Sequence, residues 1–447
     1  MQEYKKIGFA IFIGLLFFLL SSTIFTPIQA TLVGLIAFLV VLWTNEGLSL
    51  AVVSLLPIVL FPAFNILSTK VTAANYAHPI IFLFFGGFLL AIAVEKTELH
   101  THVADKILNF FPNTARGMIF SLALTSGALS SILSNTTTTL LLMPIALFIS
   151  EDVKLKMRFA LAIAYGASVG GIITPIGTPP NLILLGIMHE HNLEIIPFFK
   201  WVAMVLPLSF MMLVVVSFLL GLGVKNTQIQ REKHKHTLNK EQKKVIYVLS
   251  GLIFILLLNA PIKPFWNGLG LSESALLLGS GLLLFMPPFN ILEWNEDSKR
   301  IPFKIMFLFG AGFSIAKAFS LSGLADEVAS YLLIMTHLSP ILLLFAVAFL
   351  ITFTTEITSN TALISIMLPV IYSIAQQSGI DTTLFMMVAT ICASYAFMLP
   401  IATAPNAIAM SSGAVHVKSM IRYGFILNLI GIFLIVMVAE FFWKSML

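Results

Sequence analysis

Two polar tripeptides of identical sequence stand in otherwise apolar surroundings, 225 positions apart. They are Ser134-Asn135-Thr136 and Ser359-Asn360-Thr361. A hydroxyl residue, Ser130 or Thr355, precedes each Ser-Asn pair by four positions, one helical turn back on the same face. Ser and Asn side chains satisfy free backbone groups at helix ends, so each tripeptide is expected to interrupt a helix. The oxygens of such a break can surround a hard monovalent cation, and the N–H groups that open the next helix can face an anion.

The same offset of 225 relates many residues on both sides of the tripeptides. The pairs are Phe82 and Phe307, Gly87 and Gly312, Phe88 and Phe313, Pro144 and Pro369, Pro175 and Pro400, Thr178 and Thr403, Pro180 and Pro405, and Asn181 and Asn406. One shift without gaps over about a hundred residues indicates an internal repeat. In membrane proteins, matching Gly- or Pro-interrupted segments in two halves are typical of the binding site of a transporter.

Two further segments can form the other wall of such a site. The stretches 170–181 and 397–406 carry Pro, Thr and Asn at matching positions. Proline removes a donor from the helical ladder and forces the helix apart, which exposes carbonyl groups to an ion. Any one stretch could serve only close helix packing, but four stretches paired by one offset favour a site. The sequence therefore predicts two quasi-equivalent cation sites beside one anion cavity.

The composition predicts an all-α integral membrane protein. Hydrophobic residues make up 58% of the chain and charged residues 10%, with a mean hydropathy of +1.00, whereas about a quarter of the residues of a soluble domain are charged. About eleven apolar stretches approach the length that crosses a bilayer. They are residues 7–26, 28–43, 47–64, 79–95, 157–187, 198–224, 244–260, 271–289, 303–320, 383–412 and 420–443. Two more, 116–150 and 339–376, carry the tripeptides and are predicted to be re-entrant hairpins, because a break at mid-depth must lie inside protein or a wet cavity.

The distribution of Lys and Arg predicts the topology. With a cytoplasmic N-terminus, twenty of these residues lie in predicted cytoplasmic segments and four in predicted outer segments, as the positive-inside rule requires. The chain then crosses the membrane five times between the two hairpins, so they open on opposite faces and the repeats are inverted. We expect a multi-pass protein of the inner (cytoplasmic) membrane that keeps its N-terminal segment, because that segment lacks a clear cleavage site.

Three shorter segments complete the predicted organisation. Residues 100–108 and 325–331 mix charged and apolar residues at near-helical spacing, which is typical of helices that lie along a membrane surface. The stretch 225–244 is the only long polar segment and is predicted to be a cytoplasmic linker between the two halves.

At the tripeptides the chain resembles the divalent anion:sodium symporters, a family that carries dicarboxylates, citrate or sulfate. The run 393–406 also resembles the signature of that family around its tenth span, and the resemblance covers essentially the whole chain. It implies a homodimer in which a fixed scaffold holds a mobile transport domain that moves by an elevator mechanism. The implied scaffold comprises residues 1–112 and 245–336, and the implied transport domain comprises 113–224 and 337–447, each part with one re-entrant hairpin, while 225–244 links the halves.

The resemblance also implies which residues bind sodium and substrate. A first sodium site would consist of Ser130, Ser134, Asn135 and Gly177, and a second of Thr355, Ser359, Asn360 and Ala402. The carboxylates of the substrate would meet Asn135, Thr136, Asn360, Thr361 and Thr403. At least two sodium ions would then serve as coupling ions.

Two positions depart from the pattern of the family. Where the family often has Thr-Pro-Pro-Asn, this chain has Ala404 in place of the first proline, which leaves more room for substrate if that proline packs on it. The last position of the signature, often valine, is Ala409. Neither change touches the implied sodium ligands. No Arg or Lys falls in the proposed cavity, so a dianion would depend on helix termini, hydroxyls, amides and co-bound cations, and we expect the cations to bind first.

Some ionisable residues need a separate interpretation. Glu356 adjoins the second tripeptide and should have a partner or reach water, because a carboxylate at depth is costly; Lys317 is one candidate partner. The pairs His100 and His102, His189 and His191, and His234 and His236 are interpreted as interfacial polar residues, since their spacing lacks the Cys or carboxylate company of a metal site.

These observations predict a sodium-coupled secondary active symporter of dicarboxylates of the succinate, malate and fumarate class. An intramembrane enzyme would need a catalytic dyad, a His cluster or paired acids at depth, and none appears in the sequence, so no enzyme activity is expected. No nucleic-acid partner is expected either, because the basic residues lie in short loops between spans, where the positive-inside rule accounts for them. A channel would not need two inverted half-sites, and proton coupling would favour more buried carboxylates. A sodium-independent exchanger, or a sodium/sulfate or citrate symporter of the same fold, remains the alternative.

Overall fold

The computed structural model describes residues 2–45, 47–229, 237–261, 265–331 and 339–447, and these residues are mainly helical. The helices of the first half are α1 (Gln2–Ser21), α2 (Pro27–Asn45), α3 (Leu50–Ala63), α4 (Thr69–Asn75), α5 (Pro79–Lys96), α6 (Leu99–Phe110), α7 (Ala115–Ser130), α8 (Asn135–Phe148), α9 (Val153–Gly171), α10 (Pro179–Glu190) and α11 (Phe198–Gly221).

The helices of the second half are α12 (Lys240–Asn259), α13 (Glu273–Leu283), α14 (Trp294–Asp297), α15 (Phe303–Ser322), α16 (Leu324–Tyr331), α17 (Pro340–Thr355), α18 (Asn360–Ser378), α19 (Thr382–Ser394), α20 (Ala404–Ser411) and α21 (Val417–Phe441). Short 3-10 turns follow at Ser298–Arg300 and Trp443–Ser445. Strand-like pairing among the described residues is limited to one antiparallel bridge between Thr114 and Gln228.

The offset of 225 that relates the two tripeptides also relates helix boundaries. Helix α7 and helix α17 have both ends in register, and the first residues of α6, α8 and α10 correspond to the first residues of α16, α18 and α20. At the tripeptides the reason is local: the side chain of Ser134 accepts a hydrogen bond from the N–H of Thr137, and that of Ser359 accepts one from Ala362. Each serine thus caps the helix that begins at the following asparagine.

Both predicted hairpins are helix pairs with short tips, and both predicted interrupted spans are broken. Four residues, 131–134, join α7 to α8, and four residues, 356–359, join α17 to α18. The chain leaves the helical path between α9 and α10 and again between α19 and α20, where the prolines stand. That the two hairpins enter and leave on one face of the membrane, and that the repeats are inverted, stay predictions.

Among the described residues, seven helical stretches are long and apolar enough to cross a membrane. They are Glu3–Ser21, Pro27–Asn45, Thr69–Lys96, Phe198–Gly221, Phe303–Ser322, Asn360–Ser378 and Val417–Ser445. The chain is therefore an all-helical, multi-pass membrane protein, while the count of eleven spans remains a prediction. The stretch Asn360–Ser378 is α18, the returning arm of the second predicted hairpin, so length and composition alone do not separate an arm from a span.

Helix α9 lies at the centre of the first half of the fold, where it packs against α7, α8, α11 and α20. Its last thirteen residues, 159–171, are all buried. Small residues allow the close approach: a Cβ on Gly170 would clash with the backbone of Gly127, and one on Gly166 would lie 2.5 Å from the carbonyl oxygen of Ala123. Such contacts bring helix backbones together where lipid supplies no hydrophobic drive.

The linker begins as an ordered segment against the first hairpin. The N–H of Ala115 donates to the carbonyl of Thr227, and the N–H of Ile229 donates to that of Asn113. These bonds lie at the implied boundary between the scaffold, which ends at residue 112, and the transport domain, which begins at residue 113. Residues 230–236, with His234 and His236, lie outside the described residues, and the domain boundaries as a whole stay predictions.

Candidate functional site

A cavity of about 320 Å³ lies where the two hairpin tips meet the two helix breaks. The first residues of four helices line it, namely those of α8, α10, α18 and α20. Helix N-termini carry partial positive charge, so four of them together favour an anion. The free N–H groups come mainly from α8 and α18, because Pro179, Pro180 and Pro405 at the starts of α10 and α20 carry none. The described residues that line this cavity include no charged side chain, and an anion there would be neutralised by backbone dipoles and by any cation bound beside it.

At the first tip, two side-chain oxygens are brought together across the break. The hydroxyl of Ser130 donates to Oδ1 of Asn135 at 2.6 Å, and Ser130 is fully buried. Gly171, the last residue of α9, makes room for this amide, since a Cβ there would lie 2.5 Å from Oδ1 of Asn135. Hydroxyl, amide and carbonyl oxygens are the ligands that hard cations prefer, so the residues present fit a sodium ion.

The second tip is built from similar residues but has a different hydrogen-bond pattern. The hydroxyl of Thr355 donates to the carbonyl oxygen of Ala393 at 3.0 Å. Oδ1 of Asn360 accepts from the N–H of Thr361 at 2.8 Å and from its hydroxyl at 3.3 Å. The two amide oxygens therefore point to different partners in the two halves, although the helix boundaries match.

At each helix break, an asparagine near the start of the following helix donates hydrogen bonds to carbonyl groups of the break. Nδ2 of Asn181 donates to the carbonyl of Thr174 at 2.9 Å. Nδ2 of its repeat mate Asn406 donates to the carbonyls of Ala396 and Leu399 at 3.0 and 3.1 Å. Both asparagines are fully buried, and their bonds replace ladder bonds that the breaks remove.

Each tip is tied to the nearby break, but by different chemistry. In the first half the hydroxyl of Thr174 donates to the carbonyl of Ser131 at 2.6 Å. In the second half the carboxylate of Glu356 accepts from the N–H groups of Met398 at 2.9 Å and Leu399 at 3.0 Å. Ser131 and Glu356 are repeat mates, so a neutral bond in one half corresponds to a charged acceptor in the other.

The third partner of Glu356 corrects the expectation from sequence. Nδ2 of Asn428 in α21 donates to Oε1 of Glu356 at 2.6 Å. Lys317, proposed as a candidate partner, forms no ion pair with this carboxylate among the described residues and instead lies within electrostatic range of Glu190. The interpretation that Glu356 pairs with Lys317 is wrong, because backbone N–H groups and one amide already occupy its oxygens.

Most of the residues that the resemblance implies line the central cavity. These are Ser134, Asn135, Thr136, Gly177, Ser359, Asn360, Ala402 and Thr403. Three others, Ser130, Thr355 and Thr361, are buried beside the tips and are not among the lining residues. Their roles as ligands stay predictions.

One wall of the cavity was missed by the reasoning from sequence. Helix α5 contributes Phe84, Gly87, Phe88 and Ala91, and α15 contributes Ile305. Gly87 and Phe88 belong to the residues that repeat at the offset of 225, which was the available signal. The implied scaffold therefore forms an apolar wall opposite the polar tips.

A second cavity of about 690 Å³ adjoins the first and shares Ser359, Ile401, Thr403 and Ala404 with it. Its other wall is the end of α2, with Trp43. Ala404 lines both cavities, whereas Pro179, its repeat mate, lines only the central one among those described. A proline ring at position 404, which the family often has, would therefore lie where the two cavities adjoin.

Comparison with known proteins yields a family and several relatives. The family model described as citrate transporter matches residues 38–390. The chain is 30% identical to the sodium-dependent dicarboxylate transporter SdcS of Staphylococcus saprophyticus, with 96% of this chain and 90% of that protein covered. It is 32% identical to the protein of the same name from Staphylococcus aureus over the same shares of both chains.

A solved structure shares the fold at low sequence identity. The Alcanivorax borkumensis YdaH transporter, described as having an unusual topology, matches with a TM-score of 0.58 and 13% identity. The match covers 83% of this chain and 87% of that one.

Proposed function

The chain belongs to the citrate transporter family, and we propose that it is a sodium-coupled symporter of small dicarboxylates. The resemblance to sodium-coupled anion carriers is thereby confirmed at the level of the family, and the chain is a membrane transporter. The relatives named for sodium-dependent dicarboxylate transport support the choice of ion and substrate. The observation that carries the proposal is the central cavity, where four helix N-termini and neutral polar side chains meet and where the described lining residues include no basic side chain.

We assign the substrate to the N–H ends of the helices. One carboxylate would meet Asn135 and Thr136, and the other would meet Asn360, Thr361 and Thr403. Helix dipoles supply only partial charge, so the site by itself leaves much of a dianion uncompensated. Bound cations beside the tips would supply the remainder, which makes sodium a requirement for tight substrate binding.

The two sodium ions are assigned to the carbonyl ends of the preceding helices. The first site comprises Ser130, Ser134, Asn135 and Gly177, and the close approach of the Ser130 and Asn135 oxygens supports it. The second comprises Thr355, Ser359, Asn360 and Ala402. The residues orient oxygens toward each site, and the ions supply positive charge next to the anion. Because Asn135 and Asn360 belong to both an ion site and the substrate site, loss of either should weaken both affinities.

Movement of the cavity between faces is assigned to an elevator motion of the transport domain against the scaffold, in a homodimer. Small residues at the boundary of the two proposed parts support sliding. Gly186 lies against the ring of Phe313, Gly312 against Ser365, and Gly87 against Ile176. The second cavity reaches the end of α2, which the charge distribution places at the cytoplasm, so we assign this conformation to the inward-facing state.

The test is uptake of radiolabelled succinate into proteoliposomes under an inward sodium gradient or an equal potassium gradient. We expect uptake only with sodium, and its loss in Asn135→Ala and in Asn360→Ala. Asn267→Ala is the matched control, because Asn267 is exposed and lies outside the cavity. Uptake that ignores sodium but responds to internal dicarboxylate would replace symport with exchange.

Unlabelled citrate and sulfate then rank the substrates. Citrate is the specific alternative, because the family is described as citrate transporters and the small side chain of Ala404 lines both the central cavity and its neighbour. Citrate that competes more strongly than succinate would move the proposal to a citrate symporter, and Ala404→Pro should then reduce citrate uptake more than succinate uptake.

A further inference from the structure

A separate cavity of about 330 Å³ opens between α7 and α11, away from the central site. Its walls are apolar and include Phe120, Val214, Phe218 and Leu222. Phe218 is 69% exposed and Leu222 49% exposed, so this groove faces outward from the helical bundle. In a membrane protein such a face meets lipid rather than water.

One charged residue, Arg116, lines this groove. Its Nε–H donates to the carbonyl of Val224 at 3.2 Å, which fixes the guanidinium beside the end of α11. A guanidinium has five N–H donors. Within the described part of the chain, no hydrogen bond or ion pair engages the four donors on its Nη atoms. The guanidinium of Arg116 is thus held in place at the mouth of an apolar groove, with its Nη donors available to a ligand.

The surrounding residues place this mouth at the membrane surface. Arg116 is the second residue of α7, and Arg158 near the start of α9 donates from Nη1 to the carbonyls of Leu220 and Leu222. The end of α11 is therefore flanked by two guanidiniums. Both Arg158 and Arg116 donate to carbonyls there, but among the described residues only Arg116 keeps both of its Nη groups without a hydrogen bond. Cationic side chains at helix ends lie at the headgroup level while the helices continue into hydrocarbon.

We propose that this groove binds one anionic phospholipid, whose phosphate pairs with Arg116 and whose acyl chain lies along Phe120, Val214 and Phe218. The planar fork of arginine matches a phosphate bidentately. A basic residue above an apolar crevice between membrane helices is the pattern that holds a charged headgroup. A soluble phosphate would use the arginine but not the apolar walls, and a zwitterionic lipid would bring its own cation to the same place.

The site is independent of transport chemistry and goes beyond the proposed function. It lies between α11 and α7, the first arm of the first predicted hairpin, and both helices also pack on α9. A lipid bound in the groove would contact α7 and stabilise its packing in the hairpin. We therefore expect the bound lipid to raise the thermal stability of the protein.

The experiment measures lipid retained on the purified full-length protein by native mass spectrometry, after equilibration with equal amounts of phosphatidylglycerol and phosphatidylcholine. We expect a preference for phosphatidylglycerol that falls about fivefold in Arg116→Gln, the loss expected for one cation near a charged headgroup. Arg422→Gln is the control, since Arg422 is also exposed at the predicted cytoplasmic end of a helix but lies outside the groove.

A second variant fills the groove and keeps the charge. A Cβ on Gly221 would meet only Cγ of Arg116, at an ordinary 3.9 Å, so Gly221→Val should fold and lose lipid as Arg116→Gln does. The added melting temperature that phosphatidylglycerol gives the unmodified protein should shrink in both variants.

Three results would overturn the proposal. Arg116→Gln and Gly221→Val could retain the full preference, Arg422→Gln could lose as much as they do, or inorganic phosphate could displace the lipid. The first would remove the groove from lipid binding, the second would assign the preference to general surface charge, and the third would make the site one for soluble anions.

Discussion

Glu356 offers the sharpest test of how the second half of the site is held together. It is 3% exposed. Its carboxylate accepts hydrogen bonds from the backbone N–H groups of Met398 and Leu399 and from the side-chain amide of Asn428. These bonds join the second tip, the break after α19 and the last long helix. Ala402, an implied sodium ligand, lies three residues beyond Leu399, so the carboxylate fixes the segment that presents it.

Glu356→Gln keeps the shape of the side chain and removes one acceptor. In either orientation its amide nitrogen then faces a backbone N–H: that of Leu399, or that of Met398 together with the amide of Asn428. One hydrogen bond to a charged group, about 1.5–3 kcal/mol, is lost, and one buried donor is left without an acceptor. We expect a loss of about 3 kcal/mol of stability. If about 1.4 kcal/mol of this is expressed in ion binding, the half-saturating sodium concentration rises about tenfold.

The assays are the apparent melting temperature of the purified protein and the sodium dependence of succinate uptake. We expect a lower melting temperature without sodium, partly restored by sodium, and a higher half-saturating sodium concentration. Asn428→Ala should show the same pattern more weakly, because it removes one donor and leaves both backbone bonds. The double variant should cost less than the sum of the two, since the residues are in contact.

Glu273→Gln is the matched control. Glu273 is another carboxylate held by a backbone donor: both of its oxygens accept from the N–H of Phe198, at 2.9 and 3.0 Å, outside the central cavity. Its replacement should leave the sodium dependence of uptake unchanged. A Glu356→Gln protein with normal stability and normal sodium dependence would refute the argument that this carboxylate organises the break.

Two further substitutions test other parts of the structure. Gly171→Ala would put a Cβ 2.5 Å from Oδ1 of Asn135, and we expect about a tenfold fall in sodium-dependent uptake, or about 1.4 kcal/mol. Gly251→Ala is the control, because a Cβ added there would meet no neighbouring atom within 4 Å, and its uptake should be normal. Equal activity of the two variants would contradict the packing argument. Asp297→Asn breaks the 2.7 Å ion pair with Lys96 and should cost about 1–3 kcal/mol of stability. We expect a lower melting temperature and an unchanged half-saturating sodium concentration. An altered sodium requirement would instead show that the ion pair acts on the central site.

The sequence was informative where short-range rules decide the structure. Ser134 and Ser359 cap helices at the predicted positions because a serine oxygen reaches the N–H three residues on, whatever the rest of the chain does. Prolines break α9 from α10 and α19 from α20 for an equally local reason. The offset of 225 then indicated that the four interruptions belong to one site, and the lining of one cavity by residues from all four agrees with that prediction.

Contacts between distant segments were decided only by the tertiary structure. Glu356 meets Asn428 across 72 positions and Met398 across 42, and no spacing rule reaches that far. The sequence alone favoured Lys317 because opposite charges attract, but buried N–H groups left by a helix break need an acceptor just as strongly. The apolar wall from α5 and the groove beside Arg116 likewise depend on which helices pack together. Local chemistry places the ends of helices, whereas the partners of buried groups depend on packing between elements that the chain brings together from afar.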